Sequence, residues 1–233
     1  MEWLNVKNGV EKAELYIYGD IVGSEWDKWT DADTAPEDVL KLLAEIGENK
    51  PLDIFVNSGG GSVFAGLAIY NVLKRHKGYK TVHVDGVAAS IASVIMLAGD
   101  KVIIPANSMT MIHKAWMFTM GNSNDLRKAA DDLDRIETAI HAVYEENLQE
   151  GVSIDTIKDM MVAETWLNGM EAAQYFKIEV GEANQMAACA KSNYYQNYLR
   201  VPDLNVAEIA ENKQDDQQIK MEIEKLSLQL QLL

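Results

Sequence analysis

The sequence is short of cysteine, of cationic side chains and of long apolar runs, and each shortage removes a class of protein. Cys189 is the single cysteine in 233 residues. It excludes an internal disulfide and a cysteine-based zinc site, and it suits a reducing compartment. Lys and Arg number 21 against 36 Asp and Glu, giving a formal charge of −15. A nucleic-acid binder would instead show a basic face. The longest apolar segment, 87–98, falls short of the roughly 20 residues that a membrane span requires. The opening MEWLNVKNGVEKAELYIYGD has no basic stretch leading into an apolar core, so no secretory leader is expected. These absences point to the cytoplasm, without nucleic-acid or membrane partners. What is present, 48% hydrophobic residues, is enough for the core of one ordinary domain with an appendage.

Period-two apolar patterns predict strands at 14–22, 52–56, 80–86, 101–105 and 108–114. Helical spacing predicts helices at 34–47, 63–76, 88–99, 123–150 and 153–164. Thr34 and Glu37 stand at capping-box spacing before the first helix, and Ser153 is placed to cap the last. In the long helix, Leu126, Leu133 and Ile140 form one apolar stripe beside a second of Ala129, Ile136 and Val143. Strands alternate with helices, and glycine turns separate them, which is the pattern of an α/β fold. The domain is expected over residues 1–184, followed by a polar tail, 185–233. Within that tail Ile219, Ile223, Leu226, Leu230 and Leu233 keep heptad spacing, the mark of a short coiled coil over 219–233. Two heptads are marginal alone, so a frayed helix fits equally well.

Two stretches end a strand and open a helix, where free backbone N–H groups favour negative charge. In GVAASIAS, Ser90 sits in the first turn with only alanines around it, a place suited to a nucleophile beside an oxyanion site. Ser93 lies one turn further in, where its hydroxyl bonds back to a carbonyl. Taken alone, the stretch is also explained by two small residues in a close-packed helix. In NSGGG, residues 57–61, the glycines let backbone approach a ligand, but no Lys-Ser/Thr follows, so it is not a phosphate loop. It is read as an oxyanion donor and a strip for a peptide, or as a plain turn. Of the four histidines, His76, His83 and His141 have ordinary structural readings, His76 at an exposed helix end. His113 ends the apolar strand MTMIH, whose burial keeps an imidazole neutral and basic. A Ser–His pair needs a third group to orient the ring, and Glu164 in KDMMVAETW is the leading carboxylate. Trp116, Met117 and Phe118 are read as packing residues or as a pocket wall.

In this order, VNSGGGSVFAGLAIYNVLK, GVAASIAS, MTMIHK and AETWLNGMEAAQYF resemble the segments of the Clp-type serine peptidases over about residues 14–183. YGDIVGSEW, DTAPEDVLKLLAEIG and AETWL resemble the phage head-maturation (prohead) proteases more than the bacterial housekeeping subunit. The resemblance implies an α/β fold of the Clp peptidase and crotonase kind, a spiral of ββα units. It implies Ser90 as nucleophile, His113 as general base and Glu164 where the bacterial enzymes carry aspartate. It makes the backbone N–H groups of Gly60 and Ile91 the oxyanion donors. Gly59, Gly61 and Ser62 would form the strip along which substrate lies, with Gly59 replacing the family's usual proline. QYFKIEV departs from the family near the end of the domain.

The implied activity is a serine endopeptidase that needs no cofactor and no metal and works through an acyl-enzyme. Its substrates would be proteins or peptides, scaffold or capsid proteins of an assembling phage head. The implied assembly is a homo-oligomeric ring, with helix 123–150 at the contact between rings. Three other readings stand beside it: the proteolytic subunit of a Clp protease fed by an ATPase partner, an acyl-CoA enzyme of the crotonase type, and an inactive capsid-assembly protein on the same fold.

Overall fold

The structure, a computed structural model, describes residues 6–9, 11–183, 195 and 198–200. The heptad segment 219–233 lies outside them. The described residues form eight strands and six α-helices in the order β1 (Val6–Asn8), β2 (Ala13–Ile21), α1 (Pro36–Ile46), β3 (Leu52–Gly61), α2 (Val63–Arg75), β4 (Lys80–Ala89), α3 (Ile91–Ile95), β5 (Lys101–Pro105), β6 (Met109–Ile112), α4 (Ser123–Glu146), α5 (Ile154–Val162), β7 (Thr165–Asn168), α6 (Gly169–Tyr175) and β8 (Glu179–Gly181). This is the α/β architecture that the alternating pattern predicts.

The sheet is mostly parallel and runs β1-β2-β3-β4-β5-β8. Alternation decides its faces: Ala13, Leu15 and Ile17 of β2 are buried, as are Ile54 and Val56 of β3 and Val82 and Val84 of β4. They pack with Ile69 and Leu73 of α2 and with Ile91 and Ile95 of α3. The other face carries a ladder of rings, with Tyr16 stacked on Phe55 at 4.9 Å and Phe55 on His83 at 5.1 Å.

One feature of this sheet positions the chemistry. β4 forks: Thr81, Val82 and His83 pair with β5, whereas Val87, Ala88 and Ala89 pair in parallel with Met109, Thr110 and Met111 of β6. Polar side chains hold the fork open. Ser108 Oγ donates to the Asp85 carbonyl at 3.2 Å, buried Thr110 Oγ1 donates to the Ala88 carbonyl at 2.8 Å, and Asn57 Oδ1 accepts from the Val87 N–H at 3.2 Å. β7 then pairs antiparallel with β6, Ile112 opposite Thr165.

Several local expectations are corrected. NSGGG is not a turn; Gly60 and Gly61 continue β3, in register with Asp20 and Ile21 of β2. Residues without side chains can be drawn this close: a Cβ on Gly61 would stand 2.1 Å from the Ile21 carbonyl oxygen. Likewise Gly86–Ala89 belongs to β4, and the helix begins at Ile91 rather than 88. The start of α1 is held by Asp38, whose carboxylate accepts the Ala35 N–H at 2.7 Å, because Thr34 is occupied in a bridge to Ile21. Ser153 caps α5 as expected, accepting from the Asp155 N–H at 3.1 Å. His76 is buried, its ring Nε2 2.7 Å from the Lys50 carbonyl oxygen. Trp116, Met117 and Phe118 do not fill the core; they lie exposed on the link between β6 and α4. Only the C-terminal half of α4 packs on the domain, through Ile140, Val143 and Tyr144, and Leu126 stays exposed.

Candidate active site

The fork of β4 determines which residues meet. Ala89 is in register with Met111, and the Ser90 N–H donates to the Met111 carbonyl at 2.9 Å. The residue after β4 and the residue after β6 therefore emerge side by side. They are Ser90 and His113, and His113 Nε2 stands 2.7 Å from Ser90 Oγ. That is hydrogen-bond distance for a hydroxyl and the base that would take its proton.

Ser90 adopts φ 54°, ψ −127°, at the head of α3. A non-glycine residue pays for such a backbone, and strain of this kind collects at functional positions. Here the strain turns the side chain out of the strand and towards His113 instead of into the cap of α3, which it does not make. The conformation is held from behind. Buried Ser93 donates its Oγ–H to the Ser90 carbonyl at 2.5 Å and also meets the Tyr144 hydroxyl at 2.7 Å. With the Ser93 proton committed, Tyr144 is the donor in that second bond. Ser93 thus bonds back to a carbonyl as its position predicts, and the carbonyl is that of Ser90 itself. Tyr144 is fully buried, and burial pushes its phenol pKa up, so it stays protonated. Replacing Tyr144 by Phe removes the donor and leaves Ser93 with one partner. The expected loss is about 1 kcal/mol in urea unfolding, with no change in fold.

His113 is largely buried, and that burial lowers its pKa below the ordinary 6.5; the charge of Glu164 raises it in part. The antiparallel pairing of β6 with β7 puts Glu164 across from His113, one step beyond Ile112 and Thr165. Glu164 also has a positive φ, 48°. Its carboxylate oxygens, however, are engaged elsewhere: Oε2 accepts the Leu199 N–H at 2.8 Å and Oε1 the Arg200 N–H at 2.6 Å. Glu164 acts on His113 through space, and among the described residues no hydrogen bond joins the two.

The glycine strand lies against the serine. A Cβ on Gly60 would stand 2.7 Å from Ser90 Cβ, so the two backbones are as close as a missing side chain allows. The Gly60 N–H donates to Ser58 Oγ at 3.1 Å. Ser58, fully buried, was not singled out from the sequence, yet it occupies the donor expected to face an oxyanion. Ile91, the other expected donor, is the first residue of α3. The Gly59 carbonyl accepts from the Tyr198 hydroxyl. Ser62 caps α2 by accepting the Ala65 N–H at 3.4 Å. Gly61 pairs with Ile21 in the sheet.

Tyr198 and Trp166 are the residues at this site that sequence reasoning missed. The ring of Tyr198 meets the imidazole of His113 edge-on, centroids 5.0 Å apart, and packs near Trp166 at 6.3 Å. Among the described residues no group of three His, Cys, Asp or Glu side chains is placed to hold a metal, and no helix is long and apolar enough to cross a membrane.

Chemically, the arrangement joins a strained, half-buried hydroxyl to a neutral imidazole, beside a glycine strand. Residues 21–179 match the model of the Clp protease family. The chain is 29% identical over 160 residues to an ATP-dependent Clp protease proteolytic subunit of Bacteroides fragilis, covering 68% of this chain and 75% of the relative. It is 32% identical over 139 residues to the subunit of the same description from Chlorella vulgaris, covering 59% and 68%. Among solved structures, a ClpP1 mutant from Listeria monocytogenes superposes with a TM-score of 0.58 at 28% identity, covering 74% of this chain and 92% of that one. This chain belongs to the Clp protease family, a family of serine peptidases.

Proposed function

We propose that the protein is a serine endopeptidase in which Ser90 is the nucleophile and His113 the general base. The observation that carries this reading is the 2.7 Å contact between Ser90 Oγ and His113 Nε2, made by a serine held at positive φ. Ser90 Oγ attacks the scissile carbonyl carbon while His113 Nε2 takes its proton. His113 returns that proton to the leaving amine, and water then cleaves the acyl-enzyme by the same route in reverse. Glu164 stabilises the imidazolium by its charge. The Ile91 N–H faces the tetrahedral oxygen, joined by the Gly60 N–H once Ser58 releases it. A charged centre then forms only where fixed dipoles meet it.

Burial of His113 gives the reaction a testable pH dependence. Burial disfavours the imidazolium, so the free base persists below the ordinary pKa of 6.5. The rate of Ser90 acylation by a fluorophosphonate is therefore expected to be flat at neutral pH and to fall only below 6.5. Glu164→Gln removes the charge that favours the imidazolium, so its acid limb should lie at still lower pH. An acid limb above 6.5, or one unmoved by Glu164→Gln, contradicts this electrostatic arrangement.

For the biological substrate we infer scaffold or capsid proteins of an assembling phage head, supported by the phage-like segments YGDIVGSEW and DTAPEDVLKLLAEIG. The half-uncovered α4, with Leu126 exposed, supports assembly into a ring. A second reading, a proteolytic subunit fed by an ATPase, is favoured by the relatives' description as ATP-dependent. Degradation of a folded protein that requires a Clp-type ATPase and ATP selects the second reading. Cleavage of assembled capsid precursors without either selects the first.

A further inference from the structure

Tyr198, Leu199 and Arg200, beyond β8 in sequence, lie on the active site. Tyr198 is 7% exposed, its ring set among Val87, Ala89 and Met111, with Met109, Trp166 and Tyr195 around them. Val87 and Ala89 belong to the strand that leads into Ser90, and Met111 to the strand that leads into His113. Tyr198 covers the imidazole edge-on, and its hydroxyl is bonded to the carbonyl of Gly59 on the glycine strip. The next two residues donate their backbone N–H groups to Glu164.

Two surfaces that a peptide substrate would use, the Gly59 carbonyl and the flank of His113, are thus taken by the chain itself, and so is the carboxylate of Glu164 beside them. An extended peptide docks by such backbone hydrogen bonds and by a side chain set into a pocket. Tyr198, Leu199 and Arg200 provide both. Being covalently tethered, this segment competes at a high effective concentration against any free peptide. Leu199, the middle residue of the segment, is 90% exposed, so the segment lies at the surface, where a substrate can reach and displace it.

We propose that Tyr198–Arg200 is a self-inhibitory plug, which occupies the peptide cleft beside Ser90 and His113 and must leave before a substrate is cleaved. The proposal rests on the reading of Ser90 as the nucleophile. It implies that the protein is held back until substrate, assembly or a partner draws the segment away.

The test uses the full chain and two readouts. The first is the rate of fluorophosphonate labelling at Ser90. The second, which does not need a reactive serine, is modification of His113 by diethyl pyrocarbonate, located by mass spectrometry. Tyr198→Ala removes the ring and should raise both rates, labelling by about tenfold, because the competent fraction of the protein rises. Tyr198→Phe keeps the ring but loses the bond to Gly59, and should give a smaller increase. If Tyr198→Ala does not fold, as judged by thermal melting, Tyr198→Phe carries the test. Labelling that is unchanged or slower, with His113 no more reactive, overturns the plug and leaves Ser90 as nucleophile. Faster modification of His113 with no labelling of any variant keeps the plug and overturns the nucleophile reading instead.

Discussion

Ser90→Ala should abolish peptide hydrolysis, lowering kcat by about 10³-fold or more, while the protein folds and melts as before. The side chain lost is one hydroxyl whose partner is His113 Nε2, and alanine relieves none of the contacts that hold the backbone, since the N–H still donates to Met111 and the carbonyl still accepts from Ser93. His113→Ala should cost nearly as much, because the hydroxyl then has no base. The two effects are expected not to add: the double variant should resemble either single one, as residues acting as a unit do. Additive losses would mean that the two side chains serve separate steps, against the geometry. A Ser90→Ala variant with substantial hydrolysis would mean that the chemistry lies elsewhere.

The second large effect is expected at Gly60, where fold and chemistry meet. Gly60 has φ +99°, and a Cβ there would lie 2.7 Å from Ser90 Cβ and 2.8 Å from the Ala89 carbonyl oxygen. Gly60→Ala therefore adds a backbone penalty of about 1–2 kcal/mol to a clash with backbone that cannot rotate away. The expected destabilisation is roughly 2–4 kcal/mol in urea unfolding. Activity should fall on the order of 10²-fold, since relieving the clash moves Ser90 relative to His113. Gly47→Ala is the matched comparison, for Gly47 also has positive φ, +80°, but nothing lies within 4 Å of its Cβ position. It should pay only the backbone penalty and leave activity intact. Equal effects at the two glycines would show that the contact with Ser90 carries no weight.

How far the sequence reveals this site depends on the range of the interactions. Ser90 and His113 were legible because each stands at the end of a strand whose pattern is local. Their contact depends on the fork of β4, which no local pattern reveals: β4 reads as an ordinary strand and breaks register only after Val84. The glycines of NSGGG suggest a turn by composition, but strand pairing with β2 overrides that preference. β7 was not read from the sequence at all, because Thr165–Asn168 becomes a strand only by pairing with β6. The conformations of Ser90 and Glu164, both at positive φ, break the rule that non-glycine residues avoid that region. Each break falls at a candidate functional residue, where local rules give way.

Tyr198 was the least legible. It lies in a stretch whose polar composition suggests a tail, and its contacts with Gly59 and His113 are long-range, the first joining residues 139 apart. Glu164 was found as the carboxylate at the end of the predicted helix 153–164, but its acceptance of the Leu199 and Arg200 N–H groups depends on that same long-range return. The membership of the family gives no hint of this return, since the matched region ends at residue 179.

The central claim is that Ser90 is made reactive by His113, and one measurement addresses it directly. The purified full chain is treated with a fluorophosphonate probe, and the adduct is located by mass spectrometry, beside Ser90→Ala and His113→Ala. The account predicts a single adduct on Ser90, absent from Ser90→Ala and nearly absent from His113→Ala. An adduct on another serine, or labelling of Ser90 that survives His113→Ala undiminished, would contradict it.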